Sequence, residues 1–211
     1  MKKNLNILIV DDYLIVRKGI ELIIHENIPN TIVHHAENYN EAIQIIKALN
    51  IDLIILDIII EGVEDIKIMF EIKHIQKKTK ILIFSCHEEE FYGLRYIKNG
   101  ADGFLNKTCT DVKIIEVIYE ILAIGNYHSK EIKDKLISKG VKKRFLNPIE
   151  NLSDREFEVA KMLVNGSGNL EIANKLNIQM STVSTYKTRV FEKLDINNIV
   201  ALSAFFKPSI N

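Results

Sequence analysis

The chain has 211 residues, 28 basic and 28 acidic side chains, and 47% hydrophobic residues. That length holds one large or two small domains with cores of their own, and the composition excludes a disordered or low-complexity chain. No apolar run approaches the ~20 residues of a membrane-spanning helix. Met1-Lys2-Lys3 leads into an apolar run that ends in Asp11-Asp12 rather than in small residues, so the expectation is a cytoplasmic protein with no membrane contact. Cys86 and Cys109 are too few for a disulfide framework or a four-ligand zinc site.

The zero net charge hides an asymmetry. Residues 1–125 carry 14 basic and 19 acidic side chains, residues 126–147 carry 7 and 2, and residues 148–211 carry 7 of each. An acidic body, a basic connector and a neutral tail point to parts with separate jobs. The expected division is a domain at 1–125, a linker with a short helix at 126–149, and a second domain at 150–211.

Along the first part, Leu5–Val10, Thr31–His35, Leu53–Leu56, Ile81–Ser85 and Gly103–Leu105 read as strands. Their near-continuous Ile, Leu and Val content is what a parallel sheet covered on both faces requires. Between them, Ile15, Gly19, Leu22 and Ile23 fall on one helical stripe, as do Ala42, Ile45, Ile46 and Leu49. Five β/α pairs predict an α/β fold, a doubly wound five-stranded parallel sheet. The helix predicted over Asp111–Ile124 is apolar at 10 of 14 positions. Either it is a fully packed core helix or one face waits for a second copy of the chain. Gly125 is placed to end it. Ser129–Ser138 looks like a short amphipathic helix, and Lys139–Pro148 an exposed linker.

The last part is helical in pattern throughout. Ser153 and Glu156 have capping-box spacing, and helices fit 154–165, 169–176, 181–194 and 197–206. Four short helices with a tight turn before the third predict a small all-α helix-turn-helix domain.

Ligands in a doubly wound sheet sit at the carboxyl ends of the strands. Asp11 and Asp12 follow the first strand there, Asp57 ends the third, Ser85 closes the fourth and Lys107 follows the fifth. Three converging acids repel unless a hard cation joins them, and oxygen ligands suit Mg²⁺. A carboxylate beside such a cation, a hydroxyl and an ammonium can accept a phosphoryl group, with Asp57 as nucleophile.

These five residues, with Gly100-Ala101-Asp102-Gly103-Phe104-Leu105-Asn106-Lys107, resemble a response-regulator receiver domain over residues 5–124. The resemblance implies Asp57 as phosphoacceptor, Asp12 and Asp57 as direct Mg²⁺ ligands, Asp11 acting mostly through water, and the Ile59 carbonyl completing the set. It further implies that Ser85 hydrogen-bonds the phosphoryl group, Lys107 pairs with it, and Phe104 moves inward as a switch. Ile60-Glu61 stand where the family usually has Met-Pro, and Asp65 replaces a common Gly. Ile59 and His87 hold the positions that tune phosphoryl lifetime in the family, and a bulky Ile59 is expected to slow hydrolysis by screening water.

Leu152-Ser153-Asp154-Arg155-Glu156, Leu170-Glu171-Ile172-Ala173, Thr182-Val183-Ser184-Thr185-Tyr186 and Lys193-Leu194 resemble the LuxR/NarL/FixJ helix-turn-helix. Thr182 to Lys187 is most similar to the BvgA/EvgA type of output. On a helical wheel Val183, Val190 and Leu194 face the core. Ser181, Ser184, Thr185, Thr188 and Arg189 lie on or near the other side, which fits a major groove. The resemblance gives Ser184, Thr185 and Thr188 the base-reading positions; Lys187, Arg189 and Lys193 are candidates for phosphates. The family often has Lys where Ser184 stands.

The whole implies a response regulator, not an enzyme, with a sensor histidine kinase, double-stranded promoter DNA and a second copy of itself as partners. The rival is a DNA-binding regulator whose receiver only dimerises or binds a ligand. An aspartyl-phosphate hydrolase would need an acid where Ile59 stands.

Overall fold

The computed structural model describes residues 4–58, 65–137 and 148–206. The expectations for Ile59, Ile60, Glu61 and most of the connector, including Lys139 to Arg144, lie outside them. The chain divides into two compact units, Met1–Ile137 and Ser138–Asn211.

The first unit holds a five-stranded parallel sheet in the order β2-β1-β3-β4-β5, from β1 (Leu5–Val10), β2 (Thr31–Ala36), β3 (Leu53–Leu56), β4 (Lys80–Ser85) and β5 (Gly103–Asn106). The central strands are apolar throughout because helices cover both faces. Ile7 to Val10, Leu53 to Leu56 and Ile81 to Phe84 are all buried. Pairing of Val10 with Leu56, and of Leu56 with Ile83, brings the ends of β1, β3 and β4 level. The residues after them therefore share one sheet edge.

Helices α1 (Leu14–Asn27), α2 (Tyr39–Ala48), α3 (Asp65–Ile75), α4 (Glu89–Lys98) and α5 (Asp111–Ile124) alternate with the strands. In α1 the buried side chains are Arg17, Ile20 and Ile24, whereas Ile15 and Leu22 are exposed. This corrects the expected stripe. The helix carries two neighbouring apolar stripes, and the sheet covers the one through Ile20 and Ile24. In α2, Ala42, Ile43 and Ile46 are buried and Leu49 is exposed. Asn38 caps that helix by accepting from the Glu41 N–H.

In α5, Ile114, Val117, Ile118 and Ile121 fill the core, and Val112, Tyr119 and Ile124 stay exposed. Of the two readings of this helix, the fully packed core helix is therefore excluded within the unit, although α5 packs on α1 as well as on the sheet and the Tyr119 hydroxyl donates to the Asn27 carbonyl. Thr110 caps its start, and Gly125 ends it with φ of 103°, a left-handed conformation that a side chain disfavours. Helix α6 (Lys130–Ile137) packs on α4 and belongs to this first unit. Ile132 is buried, and a Cβ at Gly93 would lie 3.0 Å from its Cδ1. The absent side chain at Gly93 thus lets α6 approach.

The second unit begins with a 3₁₀ turn at Pro148–Asn151, followed by α7 (Asp154–Val164), α8 (Asn169–Lys175), α9 (Met180–Leu194) and α10 (Ile199–Ala204). Ser153 and Glu156 form a reciprocal capping box. Phe157, Ala160, Leu163, Ile172, Val183, Val190, Leu194 and Leu202 make the core. Asn177, with φ of 50°, turns the chain between α8 and α9.

Candidate functional site

At the carboxyl edge of the sheet, one oxygen from each of Asp11, Asp12 and Asp57 lies within 4.8 Å of the others. Asp11 and Asp57 are each 2% exposed, while Asp12 is open to solvent. The backbone fixes them. The Asp11 N–H donates to the Ala36 carbonyl at 3.2 Å and the Asp57 N–H to the Val10 carbonyl at 2.9 Å. The Tyr13 N–H donates to Asp11 Oδ1 at 2.8 Å.

Lys107 reaches this edge because its N–H donates to the Ser85 carbonyl at 2.8 Å, which extends the β4–β5 ladder. Its ammonium lies 2.6 Å from Asp11 Oδ2 and 2.8 Å from Asp57 Oδ2. Burial works against that charge, but the two carboxylates outweigh it and hold the Lys107 pKa above its ordinary value. For Asp11 the balance goes the other way: burial pushes its carboxyl up despite the Lys107 ammonium and the Tyr13 N–H. Three acids around one ammonium leave the pocket short of positive charge.

Ser85 is fully buried at the end of β4, and its hydroxyl accepts from the His87 N–H at 3.2 Å. Phe104 is buried within β5, its ring centroid 6.2 Å from that of Tyr96. Two residues near the pocket escape the strand-end reasoning. Tyr39 donates from its hydroxyl to the Asp57 carbonyl at 3.3 Å. Arg17 donates to the Asp11 carbonyl at 2.6 Å. The spacing of Arg17 with Ile20 and Ile24, a second stripe along the same helix, is the sequence signal that could have found the second.

In the second unit, Val183, Val190 and Leu194 of α9 face the core, and Ser181, Ser184, Thr185, Thr188 and Arg189 are exposed together. Ser184 and Thr185 donate to the carbonyls of Met180 and Ser181 at 3.2 and 3.0 Å, and the Ser184 oxygen also accepts from the Asn169 side-chain amide at 3.3 Å. Arg189 has no partner among the described residues. The Lys187 ammonium sits 5.6 Å from the Phe191 ring centroid.

Lys193 is differently placed. Its ammonium is 2.6 Å from Oε2 of Glu156, a buried carboxylate, and also donates to the Asn151 carbonyl. Burial works against the Glu156 charge, but Lys193 and the bonds from Ser153 outweigh it and hold the carboxyl below its ordinary value. Lys193 therefore ties α9 to α7, a role that its naming as a phosphate candidate did not anticipate.

Residues 7–119 match the response regulator receiver domain, and residues 150–206 match the luxR family of bacterial regulatory proteins. The chain is 32% identical to the Fimbriae Z protein of Salmonella typhimurium over 97% of both chains. It is 26% identical to response regulator GacA of Pseudomonas aeruginosa over 94% of both. It is also similar in fold to RcsB of Salmonella enterica serovar Typhimurium, solved bound to promoter rprA with the phosphomimetic BeF3-. That match has a TM-score of 0.77 at 22% identity, over 97% of this chain and 98% of the other. No helix among the described residues is long and apolar enough to cross a membrane. With a receiver's acidic pocket in one unit and a LuxR-type helix-turn-helix in the other, the chain belongs to the response regulators of the NarL/FixJ type, transcription regulators rather than enzymes.

Proposed function

We propose that a sensor histidine kinase phosphorylates Asp57 in the cytoplasm, and that the phosphorylated chain dimerises and binds promoter DNA to control transcription. The observation that carries this reading is the buried Asp57 carboxylate held at 2.8 Å by Lys107 within the three-acid group. Octahedral Mg²⁺ takes oxygen ligands at about 2.1 Å, so two bound oxygens stand about 3 to 4.2 Å apart, inside the 4.8 Å that bounds the Asp11, Asp12 and Asp57 oxygens, and an all-carboxylate set is the donor chemistry it favours. When bound, Mg²⁺ supplies the positive charge that the acids lack and neutralises phosphoryl oxygens.

Asp12 and Asp57 would ligate the cation directly, with the Ile59 carbonyl, and Asp11 would act through water. An Asp57 oxygen attacks phosphorus, the donor group leaves, and a mixed carboxylic-phosphoric anhydride forms. Lys107 gives up Asp57 and pairs with the new phosphoryl oxygens. The Ser85 hydroxyl donates to the same group, and Phe104 repacks as the switch.

The output follows from charge. Residues 148–211 are neutral, so one copy makes few phosphate contacts and binds duplex weakly. Two copies on paired half-sites gain affinity through effective concentration. In this reading Ser184, Thr185 and Thr188 read bases, with Ser181 on the same face and Lys187 and Arg189 on phosphates. The exposed face of α5 is the surface offered to the second copy.

Beryllofluoride or acetyl phosphate, compared between the native chain and Asp57→Ala, tests the trigger. DNA selection with each form gives a motif and its half-site spacing. Tight binding that needs Asp57 is expected. Equal binding by the Asp57→Ala chain would favour a receiver that only dimerises or binds a ligand, a reading to which the missing Met-Pro lends weight.

A further inference from the structure

Arg17 occupies a core position of α1, on the same buried stripe as Ile20 and Ile24, with its side chain 4% exposed. One terminal nitrogen donates to the Asp11 carbonyl at 2.6 Å, and the other meets Glu37 Oε1 at 3.0 Å. Its Nε has no hydrogen-bond partner among the described residues. Glu37 is 66% exposed, so the ion pair is weakly held and does little to offset taking a guanidinium out of water. A leucine would fill this place with no such penalty. The charge and the fork must therefore serve something other than packing.

What they serve is the peptide that joins Asp11 to Asp12. Its carbonyl is held by Arg17, and on the far side of Asp12 the Tyr13 N–H is held by Asp11 Oδ1. Asp12 itself is exposed, and its carboxylate has no hydrogen-bond partner among the described residues. Its direction is thus set by the backbone on either side.

We infer that Arg17 is a positioning residue for the acidic pocket: by clamping the Asp11 carbonyl it aims the Asp12 carboxylate at the divalent cation. The inference rests on the Mg²⁺-assisted reading of the pocket. Outer groups that orient ligands typically contribute about 10- to 100-fold in metal affinity.

Calorimetric titration of Mg²⁺ into the full chain tests it, with thermal melts in chelator and in Mg²⁺ alongside. Arg17→Gln, which is too short to reach the carbonyl, is expected to weaken Mg²⁺ binding about tenfold. Its melting temperature should also rise less on adding Mg²⁺ than the native chain's does. Arg17→Lys keeps one long donor and is expected to fall between the two. A melting temperature that drops equally in chelator and in Mg²⁺, with Arg17→Gln binding Mg²⁺ within twofold of the native chain, would make Arg17 a packing residue only and overturn the inference. If Arg17→Gln does not fold, Arg17→Lys decides by the same twofold criterion. A native chain that takes up no Mg²⁺ would overturn the reading of the pocket and this inference together; a native chain that binds it beside unaffected variants would sink the inference alone.

Discussion

Each unit of the chain buries a carboxylate against a lysine, and the two pairs behave in opposite ways. In the second unit, one carboxylate, Glu156, meets one ammonium and the capping bonds of Ser153. The charges balance and the donors are matched. In the first unit, Asp11 and Asp57 share Lys107, with Asp12 close by. There the acids outnumber the ammonium. The same residue types make a structural rivet in one place and a site poised for a cation in the other. The ratio of charges, not the presence of an ion pair, distinguishes them.

Removing each lysine should separate the two cases. Lys107→Met leaves two buried carboxylates without their ammonium, a loss of about 3–5 kcal/mol in chelator. Added Mg²⁺ should restore much of it, because the cation takes over the neutralising role. Chemical denaturation with and without Mg²⁺ measures both effects. Lys193→Met should cost about 1–3 kcal/mol, less because the Lys193 side chain is 40% exposed. Mg²⁺ should not restore it. Hydrogen exchange at the amides of α7 and α9 reads the loss within the second unit.

A pH titration gives the smallest expected effect. The folded Glu156 pKa lies below the ordinary value of 4.5. Its contribution is therefore complete above about pH 4.5 and is lost as the pH falls through the folded value. Exchange protection of α7 and α9 should decline over that window in the native chain. Glu156→Gln should remove this part of the slope. An unchanged slope in the variant would mean that Glu156 is not the group responsible.

The positions found by sequence and by structure differ for identifiable reasons. The strand ends carrying Asp11, Asp12, Asp57, Ser85 and Lys107 follow from alternating apolar runs and turns, because a parallel sheet brings such ends to one edge. Arg17 was hidden because apolar spacing pointed to the neighbouring stripe through Ile15 and Leu22, and the aspartate whose carbonyl it holds lies six residues away. Lys193 was named as a phosphate candidate from its charge and its helix, which say nothing about the Glu156 carboxylate that stands beside it.

By itself, the amino-acid order determined what depends on neighbours along the chain. The β/α alternation, the Ser153–Glu156 capping box, the left-handed stop at Gly125 and the apolar seam of Val183, Val190 and Leu194 all rest on spacings within about three turns of helix or one strand. Tertiary structure decided what depends on neighbours in space. It chose the buried stripe of α1 and left one face of α5 exposed. It divided Lys107 between two acids, tied Lys193 to Glu156 and set Arg17 under the Asp11–Asp12 peptide. Packing and long-range charge join residues that are far apart in sequence, and no local pattern records which of several suitable partners a side chain will meet.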